Sequence, residues 1–106
     1  MLERDYQARL IKTLEEMFPG CIVLKNDSSY RQGIPDLIIL YGDRWAMLEV
    51  KASARSSLRP NQDYYVRRLN EMSFAAFIYP SNETEILRGL QQAFQSRREP
   101  RVPFGE

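Results

Sequence analysis

Apolar residues recur with a helical period in the first part of the chain and then give way to short runs. Tyr6, Leu10, Ile11, Leu14, Met17 and Phe18 share one face with charges between them, which predicts an amphipathic helix over 2–18, stopped by Pro19-Gly20. Cys21–Lys25 reads as a short strand and Asn26–Gly33 as a polar loop. Leu37–Tyr41 is apolar throughout, so it is expected as a strand buried on both faces. Gly42-Asp43 is a hairpin turn signal, and Trp45–Lys51 follows as a third strand. After the small and basic loop Ala52–Arg59, Pro60 suits the first position of a helix running through Tyr64, Tyr65, Leu69 and Met72. Phe74–Tyr79 is a fourth strand, ended by Pro80. Asn82 followed by Glu85 predicts an N-cap with its capping box, opening a helix with Ile86, Leu87, Leu90, Ala93 and Phe94 inward.

The order is therefore αβββαβα. A strand, a helix and a strand in succession imply a parallel, right-handed crossover between the third and fourth strands. The expected class is α/β in the broad sense, an α+β mixed sheet with helices packed against it. Residues 1–96 are expected to form one domain, and the tail 97–106, with two prolines and no period, is expected to be loose or docked elsewhere.

A chain of 106 residues with 43% hydrophobic content supports one modest core and excludes two domains. Histidine is absent and Cys21 is the single cysteine, which removes Ser-His-Asp triads, disulfides within the chain and zinc or iron–sulfur clusters. Cys21 is expected to be a small buried apolar residue. Any catalysis must run on carboxylates, lysine or hydroxyls, or on a metal held by oxygen. The apolar runs are strand-sized and charges begin at Glu3, so no membrane span or signal peptide is expected, and a reducing cytoplasm is the expected compartment.

The net charge of +1 hides an uneven distribution. From Lys51 to Asn70 the cations Lys51, Arg55, Arg59, Arg67 and Arg68 face Asp63 alone, a local excess of +4. Such a run is either a solvated face or a strip that meets phosphates.

Hairpin arithmetic supplies the sharpest clue. With a two-residue Gly42-Asp43 turn, Tyr41 pairs with Arg44 and facing positions sum to 85, so Asp36 lies opposite Glu49. Lys51, two residues beyond Glu49, points to the same side. A three-residue turn would send Asp36 to the other face. Facing carboxylates repel unless something positive sits between them. Lys51 answers part of that, and a magnesium ion on two carboxylates, a backbone carbonyl and water answers more. Such a centre activates water and stabilises charge on a phosphate. The bland alternative is a structural Glu49–Lys51 ion pair, with Asp36 merely starting a strand after Pro35.

Gly33-Ile34-Pro35-Asp36-Leu37, then Glu49-Val50-Lys51 with twelve residues between Asp36 and Glu49, resembles the PD-(D/E)XK nuclease signature. With Arg59-Pro60-Asn61-Gln62 downstream, the chain is similar to the virus-type replication-repair nuclease (VRR-NUC) branch, which is related to Holliday junction resolvases. The likeness spans roughly residues 3 to 79. It implies a restriction-endonuclease-like αβββαβ core, here with a C-terminal helix, and a magnesium-dependent endonuclease acting on DNA, with manganese able to substitute. It implies Asp36 and Glu49 as metal-binding carboxylates, the Val50 carbonyl as a third ligand, Lys51 as the catalytic lysine and Gln62 beside it. An acid on the first helix completes the family pattern: Glu3, with Asp5 the competitor, as a further catalytic residue and metal ligand. Arg31, Arg55, Arg59, Lys25 and Arg67 are the expected nucleic-acid contacts, and Trp45 is expected to pack. Branched DNA and a homodimer are the expected partners, with no small-molecule substrate. A prokaryotic or phage origin goes with that resemblance. A nucleic-acid-binding module with a degenerate nuclease fold is the alternative.

Overall fold

In a computed structural model, residues 1–27 and 29–95 are described; the expected tail 97–106 lies outside them. The elements are α1 (Glu3–Met17), β1 (Ile22–Lys25), β2 (Leu37–Tyr41), β3 (Arg44–Val50), α2 (Gln62–Met72), β4 (Phe74–Ile78) and α3 (Glu83–Gln95), with a short 3₁₀ turn at Pro80–Asn82 before α3. The four strands form one sheet in the order β1-β2-β3-β4. β1–β2 and β2–β3 are antiparallel and β3–β4 is parallel, with α2 as the crossover. This is the expected mixed sheet with three α-helices among the described residues. No helix among those residues is long and apolar enough to cross a membrane.

The hairpin has the two-residue turn. Tyr41 pairs with Arg44 and Leu37 with Leu48, and the positive φ falls on Gly42, at 64°. Alternation then divides the sheet into two faces. Leu37, Ile39, Ala46, Leu48, Val50 and Ile78 form the fully covered face, under Tyr6, Leu10 and Leu14 of α1 and Leu87, Leu90 and Phe94 of α3. The opposite face is covered by α2 only over β3 and β4. The expectation that β2 is buried on both faces is therefore corrected: Leu37 and Ile39 are buried, while Ile38 and Leu40 are half-buried. Their β1 partners Leu24 and Ile22 are 48% and 55% exposed. Trp45 is half-buried on this face, and Cys21 is half-buried with its thiol toward the Leu14 carbonyl oxygen at 3.8 Å.

Two helix starts differ from the sequence reading. Pro60 does not open α2. Gln62 N donates to Arg59 O at 3.2 Å and Asn61 sits at φ 69°, ψ −3°, which makes Arg59–Gln62 a turn of type II. Proline at the second position and asparagine in the left-handed third position fit that turn as well as proline fits a helix start. Asn82 does not cap α3 through a box with Glu85. Its Oδ1 accepts from Tyr79 N at 2.8 Å and its Nδ2 donates to Phe77 O at 3.1 Å, so it binds the end of β4 to the start of α3.

Two contacts fix the ends of the sheet. At the turn end, Arg44 Nη1 donates to the Ala93 and Phe94 carbonyl oxygens, both at 2.9 Å, and so satisfies acceptors in the last turn of α3. At the other end, Gly33 is buried at φ +92° against the type II turn. A Cβ there would lie 2.7 Å from Asn61 Cβ and 2.9 Å from Pro60 O. Only glycine lets the loop before Asp36 touch the turn before Gln62.

Gly33→Ala is accordingly expected to destabilise more than Gly42→Ala, whose Cβ would meet open space. The difference should be at least about 1 kcal/mol in urea unfolding. Equal losses would mean that strain in φ alone, and not the contact with Asn61, sets the cost.

Candidate active site

Asp36 stands just before β2 and Glu49 near the end of β3, opposite each other when the hairpin register is extended by one position. Asp36 N donates to Glu49 Oε1 at 3.2 Å, and Asp36 Oδ2 accepts from Val50 N at 2.9 Å. Asn26 holds the approach to Asp36: its N donates to Asp36 O at 2.8 Å and its Nδ2 to Pro35 O at 2.9 Å. Val50 is in extended strand, so its carbonyl faces the same side as its N–H, toward Asp36.

Lys51 and Gln62 complete the cluster. Gln62 Nε2 donates to Glu49 Oε2 at 2.6 Å, while Gln62 Oε1 accepts from Lys51 Nζ at 2.7 Å and from Arg59 N at 2.8 Å. Lys51 Nζ also donates to Ser57 O at 3.2 Å and lies 3.6 Å from Glu49 Oε2. Glu49, Lys51 and Gln62 are the buried polar side chains among the described residues. Burial of this kind is tolerable because each charge has a partner.

The cluster opens on a cleft of about 280 Å³ lined by Glu3, Arg4, Gln7, Asp36, Glu49, Lys51 and Arg59. Glu3, and not Asp5, is the α1 acid on this cleft; Asp5 lies outward, 4.0 Å from Arg4. Arg4 and Gln7 were missed by the sequence reading. Gln7 is one helical turn from Glu3 and could have been found by that spacing. Of the expected nucleic-acid contacts, Arg59 alone lines the cleft. Arg55 is exposed on the loop and Lys25 at the end of β1. Arg67 is paired with Asp63 at 3.0 Å, and Arg31 donates to Tyr65 Oη at 3.2 Å.

Electrostatics mark the two carboxylates. Burial first, and the neighbouring Asp36 second, push Glu49 up to about 7, against the pull of Lys51. Glu3 adds a smaller push in the same direction. Burial also raises Asp36, offset in part by the Val50 N–H, by Lys51 and Arg59 and by a hydrogen bond with Glu49. For both carboxyls burial, more than any neighbouring charge, is what resists the anion.

That donor set fits a hard divalent cation. It consists of oxygen ligands on two facing carboxyls, with room in the cleft beside them. Glu3 lines the cleft with Asp36 and Glu49, while among the described residues no three or more His, Cys, Asp or Glu side chains converge as a metal-binding group. Two carboxylates suffice for magnesium, which keeps several of its waters. No protein-family model, curated protein or solved structure matches the chain, so the resemblance to VRR-NUC nucleases rests on the motif residues alone.

The raised Glu49 has a signed consequence for stability. A carboxylate that holds its proton more tightly when folded stabilises the fold below its ordinary value of 4.5 and loses that contribution as pH climbs through about 7. In EDTA the melting temperature should therefore fall between pH 5 and pH 8. The free-energy loss should be on the order of 2 kcal/mol. A melting temperature that rises over this range would show that the Glu49 carboxylate is stabilised as the anion.

Proposed function

We propose that this chain is a divalent-metal-dependent endonuclease that hydrolyses DNA phosphodiester bonds and is selective for branched DNA. One observation carries the reading: Asp36, Glu49, Lys51 and Gln62 converge in a single hydrogen-bonded cluster on a cleft bordered by Arg59 and Arg4. An ordinary structural ion pair needs neither the facing Asp36 nor a glutamine shared by both charges.

Asp36, Glu49 and the Val50 carbonyl would hold magnesium or manganese. When bound, that ion supplies Lewis-acid polarisation of the phosphate and of water. The remaining roles belong to the chain. Lys51, held by Gln62 and Ser57, keeps an ammonium beside the cleft, where it would neutralise charge that develops on the phosphate oxygens as water attacks phosphorus and the bond to the leaving oxygen breaks. Gln62 stops the Lys51 ammonium from collapsing fully onto Glu49, because it donates to one and accepts from the other. Arg59 and Arg4 attract the phosphate backbone toward the cleft. Glu3 disfavours a second anion at its own side of the cleft and so orients the phosphate toward the arginines.

A homodimer belongs to the same proposal. One chain of this size offers few cations to a branched substrate, and two copies double both cations and clefts. Light scattering should give twice the mass of the chain, and a single-chain mass at working concentration removes the dimer.

The decisive assay is cleavage of labelled four-way junction, flap and linear duplex DNA in magnesium or manganese against EDTA. Cutting should require metal, favour a branched substrate, and fall by about 10²–10³-fold in Lys51→Ala that still melts cooperatively. Tight binding without cutting under either metal would instead support the degenerate binding module.

A further inference from the structure

Next to the carboxylates lies a second cavity, of about 350 Å³, lined by Asn26, Asp27, Tyr30, Arg31, Ile34 and Met47. Its size falls within the range of small-molecule subsites, roughly 300–1,000 Å³. It is continuous in register with the cleft. Met47 shares a strand face with Glu49 and precedes it by two positions, about 7 Å, and Ile34 precedes Asp36 by two. The loop that forms one wall is tied at several points. Ser29 N donates to Asp27 Oδ1 at 2.8 Å, Tyr30 N to Asp27 O at 3.2 Å and Ile34 N to Arg31 O at 3.3 Å.

The lining has a definite chemistry. Ile34 and Met47 are apolar, and Tyr30 is an aromatic ring left 84% exposed at the rim. Arg31 donates to the Tyr65 hydroxyl and forms no ion pair with a carboxylate among the described residues, so its charge is available to an anion. Hydrogen bonds from Ser29 hold the Asp27 carboxyl below its ordinary value and keep it ionised. That anion repels a phosphate inside the cavity but accepts from amino or imino groups. An apolar slot with an aromatic rim, an acceptor within and a cation beside it matches one ligand class, a nucleotide whose base enters and whose phosphate stays outside.

We infer that this cavity takes an unpaired nucleobase of the bound strand, stacked on Tyr30, with the adjoining phosphate on Arg31. The inference rests on the nuclease reading and deepens it: the strand is single-stranded or unpaired beside the cleft. A base in a duplex is stacked and paired and reaches such a slot only at the cost of unstacking. Selectivity for flaps and other branched DNA with an unpaired strand then has a physical source, since such substrates supply bases already freed.

The test is binding measured in EDTA, so that no cutting is needed. Fluorescence anisotropy compares a labelled single-stranded DNA oligomer of mixed sequence with an abasic oligomer of equal length and with a duplex. Wild type should bind the mixed-sequence oligomer roughly 5- to 100-fold more tightly than the abasic one. Tyr30→Ala should erase that difference and Tyr30→Phe should keep it; Tyr30 is exposed enough that neither change threatens the fold. If wild type binds both oligomers equally, or if Tyr30→Ala retains the preference, the base-binding site is wrong. Metal-dependent cutting in the separate cleavage assay would then leave the nuclease reading standing. Absence of binding to every nucleic acid, together with absence of cutting, overturns both.

Discussion

One carboxamide joins the two halves of the site. Glu49 near the end of β3 and Lys51 just beyond it lie two residues apart, and Gln62 opens α2. The Gln62 side chain donates to the carboxylate and accepts from the ammonium while it also receives the Arg59 backbone N–H. A carboxylate in its place would add a third negative charge beside Asp36 and Glu49. A lysine would leave the Lys51 ammonium without that acceptor. The amide satisfies both charges without changing their sum, which is why ionised groups can sit in the interior of so small a chain. The position of that amide is fixed in turn by the turn before it and by the absence of a side chain at Gly33.

The site was legible from sequence because it is built on a strand register. Once Gly42-Asp43 is read as a two-residue turn, Asp36 must face Glu49, and no tertiary information is needed. The placement of Lys51 follows from strand period alone. Gln62 was found by likeness to a motif, since nothing in its local pattern distinguishes a buried glutamine from an exposed one. Gln7 follows from Glu3 by helical spacing, whereas Arg4 was out of reach for a different reason: its place on the cleft depends on how α1 docks over the end of the sheet.

The misread elements have a common origin. Pro60 and Asn82 each satisfy two local rules, and the winning rule was decided by a distant partner. Gly33 favours a left-handed Asn61, and hence the turn, over an early helix start. The free ends of β4 draw Asn82 to Tyr79 and Phe77 before α3 can use it. The half-bare face of β2 has the same character, because a continuous apolar run says how much could be covered and not whether a helix is long enough to cover it. α2 reaches across β3 and β4, and Ile22 and Leu24 stay open.

The Arg44 bonds to the end of α3 carry a practical consequence for handling the protein. They hold the last described helical turn beside the hairpin loop, one strand length, roughly 17 Å, from Asp36 and Glu49. The opposite terminus is different: Glu3 and Arg4 line the cleft itself, and Met1 is 72% exposed just ahead of them. A purification tag or reporter fused ahead of Met1 begins at the mouth of the cleft and adds its charge there. The end of α3 at Gln95 lies instead at the far end of the sheet from the cleft.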